Sequence, residues 1–185
     1  MFQQFCPRLV VPSVTVLTPE FFRDRNLTAV LLDLDNTLVL WHGSDVPPEV
    51  SGWLKGLQAA GLRFCLASNT HRPRRLAALG EALGVPYELG VAKPRPAGIR
   101  RCLARINAAP DQTAMVGDQI FTDIWGGNLC GLYTILVQPM SPREFIGTRV
   151  VSRPLEKVVL STLRRRGLIR EEPGTREAGG LEATR

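Results

Sequence analysis

From Ala29 onward the chain alternates between short aliphatic runs and longer stretches in which apolar residues recur every three or four positions. The runs are 29–34 (AVLLDL), 62–67 (LRFCLA), 85–91 (VPYELGV), 113–117 (TAMVG) and 132–137 (LYTILV). The spaced stretches are 48–60, 72–83, 96–108 and 119–129. Runs apolar on both faces predict strands buried in a parallel sheet, and the stretches between them predict helices making right-handed crossovers. Gly61, Gly84 and Gly131 each follow a helical stretch, where a terminating glycine belongs. Ahead of this core, residues 8–26 predict a short extended segment and then a helix opened by Thr18-Pro19-Glu20, an N-cap with proline at N1. Behind it, 153–166 predicts a helix ending in Arg164-Arg165-Arg166 and Gly167. The fold class expected is α/β: an open, doubly wound parallel sheet in three α/β/α layers. Residues 1–170 form one domain in this reading, and 171–185 (EEPGTREAGGLEATR), almost without apolar residues, form a disordered tail.

Composition narrows the setting. A chain of 185 residues with 44% hydrophobic and 22% charged content suits one globular domain with a proper core. No run approaches the roughly 18 apolar residues of a membrane span. The opening MFQQFCPRLVVPSV lacks the cationic start and apolar stretch of a secretory signal, so a cytoplasmic protein is expected. Cys6, Cys65, Cys102 and Cys130 are widely separated and read as reduced thiols rather than a disulfide or metal site. The net charge of +6 is concentrated in HRPRR (71–75), IRRCLAR (99–105) and TLRRRGLIR (162–170). Such clusters attract phosphate-bearing partners, nucleic acid or anionic lipid among them, although each alone reads more simply as a solvated helix face.

The candidate chemistry lies in LLDLDNTLV (31–39), where Asp33 and Asp35 end one of the most aliphatic parts of the chain. A buried carboxylate without a partner is costly to keep ionised, so a pair there requires a reason. Ligands of doubly wound sheets bind beyond the carboxyl ends of the strands. Asp33 falls at such an end and Asp35 in the loop leaving it. Ser68 and Asn69 follow the second run, Lys93 the third and Asp118 the fourth. Oxygen ligands of this kind suit a hard divalent cation, and a lysine beside them suits a phosphate. Each residue also has an ordinary reading: a strand-end turn for the aspartates, a helix N-cap for Asp118, a solvated loop lysine for Lys93. Those readings leave their convergence on one rim without a reason.

DLDNT (33–37), SNT (68–70), KPRP (93–96) and GDQIFTD (117–123) resemble, in order, the four motifs of the haloacid dehalogenase superfamily of phosphatases. The flanking wording, LLDLDNTLV and VGDQIFTDIWGGN, is similar to the YqeG-type branch of its subfamily III, which also includes the mitochondrial phosphatidylglycerophosphate phosphatases. The resemblance spans about residues 10–160 and implies the superfamily's Rossmann-like core. It implies Asp33 as nucleophile, Asp35 as general acid and then base, and Lys93 as the neutralising cation. Thr37, Ser68 and backbone N–H groups near Asn69 would hold phosphoryl oxygens. Mg²⁺ would be bound by Asp33, the Asp35 carbonyl and Asp118, with Asp123 supporting the site through a water or Lys93. Receiver domains share the sheet, an acceptor aspartate and a lysine but store the phosphoryl group. A second carboxylate two residues on argues instead for turnover of a phosphomonoester.

The spacing of the motifs bears on substrate. Only the 30 residues 38–67 separate Thr37 from Ser68, and the 23 residues 70–92 separate Asn69 from Lys93. Each gap is used by one helix and one strand, so no cap domain is expected. An open site suits a phosphate carried on something large, such as a lipid head group, a protein or a nucleic-acid end, with phosphatidylglycerophosphate the substrate the resemblance favours. Trp41 and His42 fall in the short loop over the site, as substrate contacts or as ordinary packing and surface residues. The arginine clusters sustain one alternative, a basic protein that holds RNA or a ribosomal partner on the same fold. No aromatic RNA-binding motif accompanies them.

Overall fold

The structure is a computed structural model describing residues 3–140; the helix expected at 153–166, the arginines of 162–170 and the tail 171–185 lie outside the described residues. Five strands form one sheet: β1 (Leu9–Val11), β2 (Ala29–Leu32), β3 (Arg63–Leu66), β4 (Thr113–Gly117) and β5 (Tyr133–Val137). Every pairing is parallel and the order is β1-β5-β4-β2-β3. The helices are α1 (Pro19–Arg23), α2 (Pro48–Ala59), α3 (Pro73–Leu83), α4 (Pro96–Arg105) and α5 (Trp125–Leu129), the last entered through a π-helical turn at Ile120–Ile124.

The period of two along β2 sorts its side chains between two cores. Val30 and Leu32 face Phe22, Leu54, Leu57, Leu76 and Leu79 from α1, α2 and α3. Ala29 and Leu31 face Ile99, Cys102 and Leu103 of α4. On the β1–β5 side, Val10 and Leu136 pack with Ile120 and Ile124. The sheet is thus covered on both faces, which is why its strands read as continuous aliphatic runs. Cys65 and Cys102 are buried thiols.

Local signals set the element ends. Thr18 Oγ1 accepts a hydrogen bond from Phe21 N–H at 3.3 Å, with Pro19 at N1. Proline also opens α2, α3 and α4, at positions whose N–H would have no intrahelical partner. Gly61, Gly84 and Gly131 all take positive φ behind their helices.

Two expectations about strands are corrected. The run 85–91 is not a strand: only Tyr87 pairs, with Leu66. Leu66 N–H donates to Pro86 O and Glu88 N–H to Leu66 O, after which the chain leaves the sheet through exposed Leu89 and Gly90. The fifth strand is instead β1, the extended segment before α1, paired to β5 through Leu9↔Ile135 to Val11↔Val137.

The topology positions the site. From β2 the sheet is extended on one side by β3 and on the other by β4, so crossovers leave this point in opposite directions and open a crevice at the carboxyl ends. Leu32 is in register with Val116, and Asp33 N–H donates to Val116 O at 2.9 Å. Asp33 and Asp118 therefore emerge side by side.

Candidate active site

The loop leaving β2 is wound tightly enough to keep its polar side chains in place. Leu38 and Val39 N–H groups both donate to Leu34 O, and Asn36 N–H donates to Val39 O at 2.8 Å. Asn36 takes φ +60°, one of the few positive-φ positions a non-glycine residue accepts readily. Leu34, Leu38 and Val39 are buried in the core and anchor the turn from below.

Lys93 is the centre of the charge arrangement. Its Nζ lies 2.6 Å from Asp33 Oδ1 and 2.7 Å from Asp123 Oδ1, with Lys93 and Asp123 side chains each only 1% exposed. Asn69 fixes the lysine's backbone on both sides, its Nδ2 donating to Lys93 O at 2.9 Å and its Oδ1 accepting from Lys93 N–H at 2.8 Å. The two carboxylates outweigh desolvation and hold the Lys93 ammonium above its ordinary pKa. Burial pushes the Asp33 carboxyl up to about 7, with Asp123 and Asp35 adding to the rise and Lys93 opposing it.

Carboxylate oxygens of Asp33, Asp118 and Asp123 all lie within 4.8 Å of one another. Three acids share this pocket with one ammonium, so the donors are all oxygen and the formal charge is negative. That set fits a hard dication, which would also favour the ionised form of Asp33. Asp123 is engaged through both oxygens: Oδ1 faces Lys93 Nζ at 2.7 Å and Oδ2 accepts from Gln119 N–H at 3.0 Å.

Asp123 reaches this position because residue 117 has no side chain. A Cβ at Gly117 would collide with the Asp123 carboxylate. Gly117→Ala is therefore expected to destabilise the fold by about 1–3 kcal/mol, the usual cost of overpacking a buried site. Urea unfolding checks this; an unchanged midpoint would show that the acid has room to move.

Asp33, Asp35, Ser68, Asn69 and Lys93 line a cavity of about 440 Å³ at the strand ends, whose mouth carries Trp41, His42, His71 and Arg72. The Trp41 and His42 rings lie against each other with centroids 4.3 Å apart and planes tilted by 42°. Thr37 stands apart from this group. Its hydroxyl is buried with no hydrogen-bond partner among the described residues, and it lines a neighbouring groove with Pro12, Val50 and Val137.

Sequence reasoning missed Arg75. Taken as part of the solvated HRPRR cluster, it instead forms an ion pair with Asp35, Nη2 to Oδ1 at 2.8 Å, the side chains 8% and 11% exposed. The signal was helical phase: Arg75 lies one turn before buried Leu79 and so faces inward, whereas Arg72 and Arg74 are exposed. Of the 99–105 cluster, Arg101 and Arg105 both pair with Glu88 at the surface and hold its carboxyl below the usual range.

The fold and this rim define a class, and comparison with known proteins agrees. The haloacid dehalogenase-like hydrolase family model matches residues 19–131, and the chain belongs to that family. Its relatives identify it as a phosphatase. A probable phosphatase of Bacillus subtilis, YqeG, is 33% identical over 168 residues, covering 91% of this chain and 96% of that protein. The chloroplastic phosphatidylglycerophosphate phosphatase 1 of Chlamydomonas reinhardtii is 32% identical over 143 residues. That match takes in 73% of this chain but 53% of the relative, so the chain spans about half of its length. Among solved structures, the cobalt-bound deoxy-D-mannose-octulosonate 8-phosphate phosphatase of Haemophilus influenzae shares the fold. Its TM-score is 0.50 at 17% identity, over 74% of this chain and 89% of that one. Among the described residues no helix is long and apolar enough to cross a membrane.

Proposed function

We propose that the protein is a Mg²⁺-dependent phosphomonoester hydrolase that carries the phosphoryl group on Asp33. The observation that supports this most strongly is the contact of Lys93 with Asp33 and Asp123, buried together beside Asp118 at the sheet's switch point. An Asp33 carboxylate oxygen attacks phosphorus as the ester P–O bond breaks, and Asp35 gives its proton to the departing oxygen. In the second half, the Asp35 carboxylate takes a proton from water while the water oxygen attacks phosphorus. The bond from phosphorus to Asp33 breaks, inorganic phosphate leaves, and Asp35 has its proton back.

Lys93 offsets charge on Asp33 and on the transferring phosphoryl oxygens. Ser68, which lines the cavity, and backbone N–H groups near Asn69 hold those oxygens; Thr37, set in the neighbouring groove, is left out of this set. The Asn69 side chain is occupied with Lys93, which leaves its main chain for this task. Asp33, Asp118 and the Asp35 carbonyl would hold Mg²⁺, which when bound supplies positive charge to the transferring group. Asp123, both of whose oxygens are engaged, supports Lys93 instead of binding the ion.

Between Thr37 and Ser68 lie only a loop, α2 and β3, and between Asn69 and Lys93 only α3 and its connections. These short links support an open site acting on a phosphate borne by a large or membrane-held body. The chloroplastic relative supports phosphatidylglycerophosphate, an anionic phospholipid, as the first substrate to test. The nucleic-acid alternative is weakened by the use of Arg75, Arg101 and Arg105 in internal or local ion pairs.

The test is hydrolysis by purified protein with and without Mg²⁺. It compares an aryl phosphate, phosphatidylglycerophosphate vesicles, a phosphoprotein, a phosphorylated oligonucleotide and a sugar phosphate. Mg²⁺-dependent release of phosphate, greatest from the vesicles, is the expected result. Absence of metal-dependent hydrolysis from every substrate would refute the reading.

A further inference from the structure

The carboxylate of Asp35 is held on several sides. Arg75 Nη1 donates to Oδ2 at 3.1 Å and Nη2 to Oδ1 at 2.8 Å, while His42 N–H donates to Oδ1 at 2.9 Å. The same guanidinium reaches the loop over the site, its Nε and Nη2 donating to Gly43 O at 2.9 and 2.6 Å. That loop is a turn closed by Gly43 N–H to Leu40 O at 2.8 Å, with His42 at φ +56°. One side chain from the first turn of α3 thus joins the loop carrying Trp41 and His42 to the proposed acid–base group.

Asp35 lines the central cavity and Arg75 is not among its lining residues, so the arginine acts on the reaction through Asp35. A buried ion pair is a poor way to gain stability, because desolvating both charges offsets most of their attraction. A planar two-pronged contact does give orientation, which a lysine in the same place would supply only partly. We propose that Arg75 is the positioning residue for Asp35, fixing the carboxyl group where both proton transfers occur and tying that position to the Leu40–Gly43 turn. The inference rests on the acid–base role of Asp35 given above.

The two halves of the reaction need Asp35 unequally. p-Nitrophenolate leaves from phosphorus without a proton, whereas phenolate, much the stronger base, benefits from one. Hydrolysis of phosphoryl-Asp33 needs a base whichever ester supplied the phosphoryl group. A displaced Asp35 should therefore slow phenyl phosphate cleavage and the second half-reaction, and spare attack on p-nitrophenyl phosphate.

Rapid-mixing kinetics with the two esters and Mg²⁺ test this in Arg75→Met and Arg75→Lys, each also made in an Asp35→Asn background. Arg75→Met is expected to lower steady-state turnover of phenyl phosphate by about 10²-fold, the scale of general acid–base assistance. With p-nitrophenyl phosphate it should give a burst of about one p-nitrophenolate per site and then slow turnover, since only the second step needs the base. Arg75→Lys should recover part of the loss. In the Asp35→Asn background, Arg75→Met should cost less than about twofold, because two residues acting as a unit do not add. The proposal is overturned if Arg75→Met turns over near the wild-type rate, slows both esters equally without a burst, or adds its full cost to Asp35→Asn. If Arg75→Met does not fold, Arg75→Lys must show the burst and the same non-additivity, and their absence overturns the proposal. An inactive wild-type protein would remove the acid–base reading itself, whereas an active one with indifferent variants would remove only the role of Arg75.

Discussion

Asp33→Asn is expected to lower turnover of an aryl phosphate by on the order of 10⁴-fold or more, the loss seen when a nucleophile is removed and only binding and electrostatics remain. The amide is nearly isosteric with the carboxylate, so the wall of the cavity is kept, but its oxygen is neutral and a poor nucleophile. The same change should not weaken the fold. Burial holds the Asp33 carboxyl up to about 7, which means that keeping it ionised is unfavourable in the folded, metal-free protein. The neutral amide removes that cost while Lys93 retains Asp123 at 2.7 Å. Thermal unfolding of the metal-free variant should thus show a midpoint equal to or above that of the wild type. Loss of activity together with loss of the folded baseline would instead assign Asp33 a structural role.

Lys93→Met is expected to damage both properties. The Lys93 side chain is 1% exposed and faces two acids, so an apolar replacement leaves Asp33 and Asp123 buried without their cation. Breaking a buried pair by removing one partner costs about 3–5 kcal/mol, which denaturant unfolding at neutral pH would read directly. Turnover should fall by at least about 10²–10³-fold, the scale for one preorganised charge stabiliser. Asp33→Asn is thus predicted to be inactive and stable, and Lys93→Met inactive and unstable. A Lys93→Met protein as stable as the wild type would mean that its acids find other partners, and the charge balance described above would be wrong.

The parts of this fold that were legible in the sequence are those whose signals are local. Aliphatic runs at β2, β4 and β5 are apolar on both faces because helices cover the sheet on both sides. Thr18 and the glycines behind the helices state their own backbone geometry. What failed depended on distant partners. The run 85–91 looks like the other strands in composition, yet Pro86 has no N–H to give and the pairing with Leu66 ends at Glu88, before exposed Leu89 and Gly90. β1, with three residues, is too short to show a period, and its strand character comes from pairing with β5.

The same division runs through the site. Motif spacing along the chain pointed to Asp33, Ser68, Lys93 and Asp118 on one rim, because each follows an aliphatic run or its connection. Arg75 was hidden by its neighbours, since a run of cationic residues reads as a solvated surface until helical phase is considered. Gly117 was equally silent: its reason is an Asp123 carboxylate approaching where a Cβ would stand.

The most direct test of the account is to quench the enzyme with acid during turnover of an aryl phosphate and map the phosphoryl group by mass spectrometry. The account predicts a hydroxylamine-labile phosphoryl group on the peptide containing Asp33, formed only when Mg²⁺ is present. Robust turnover with that peptide unmodified, or with the label on another residue, would contradict it.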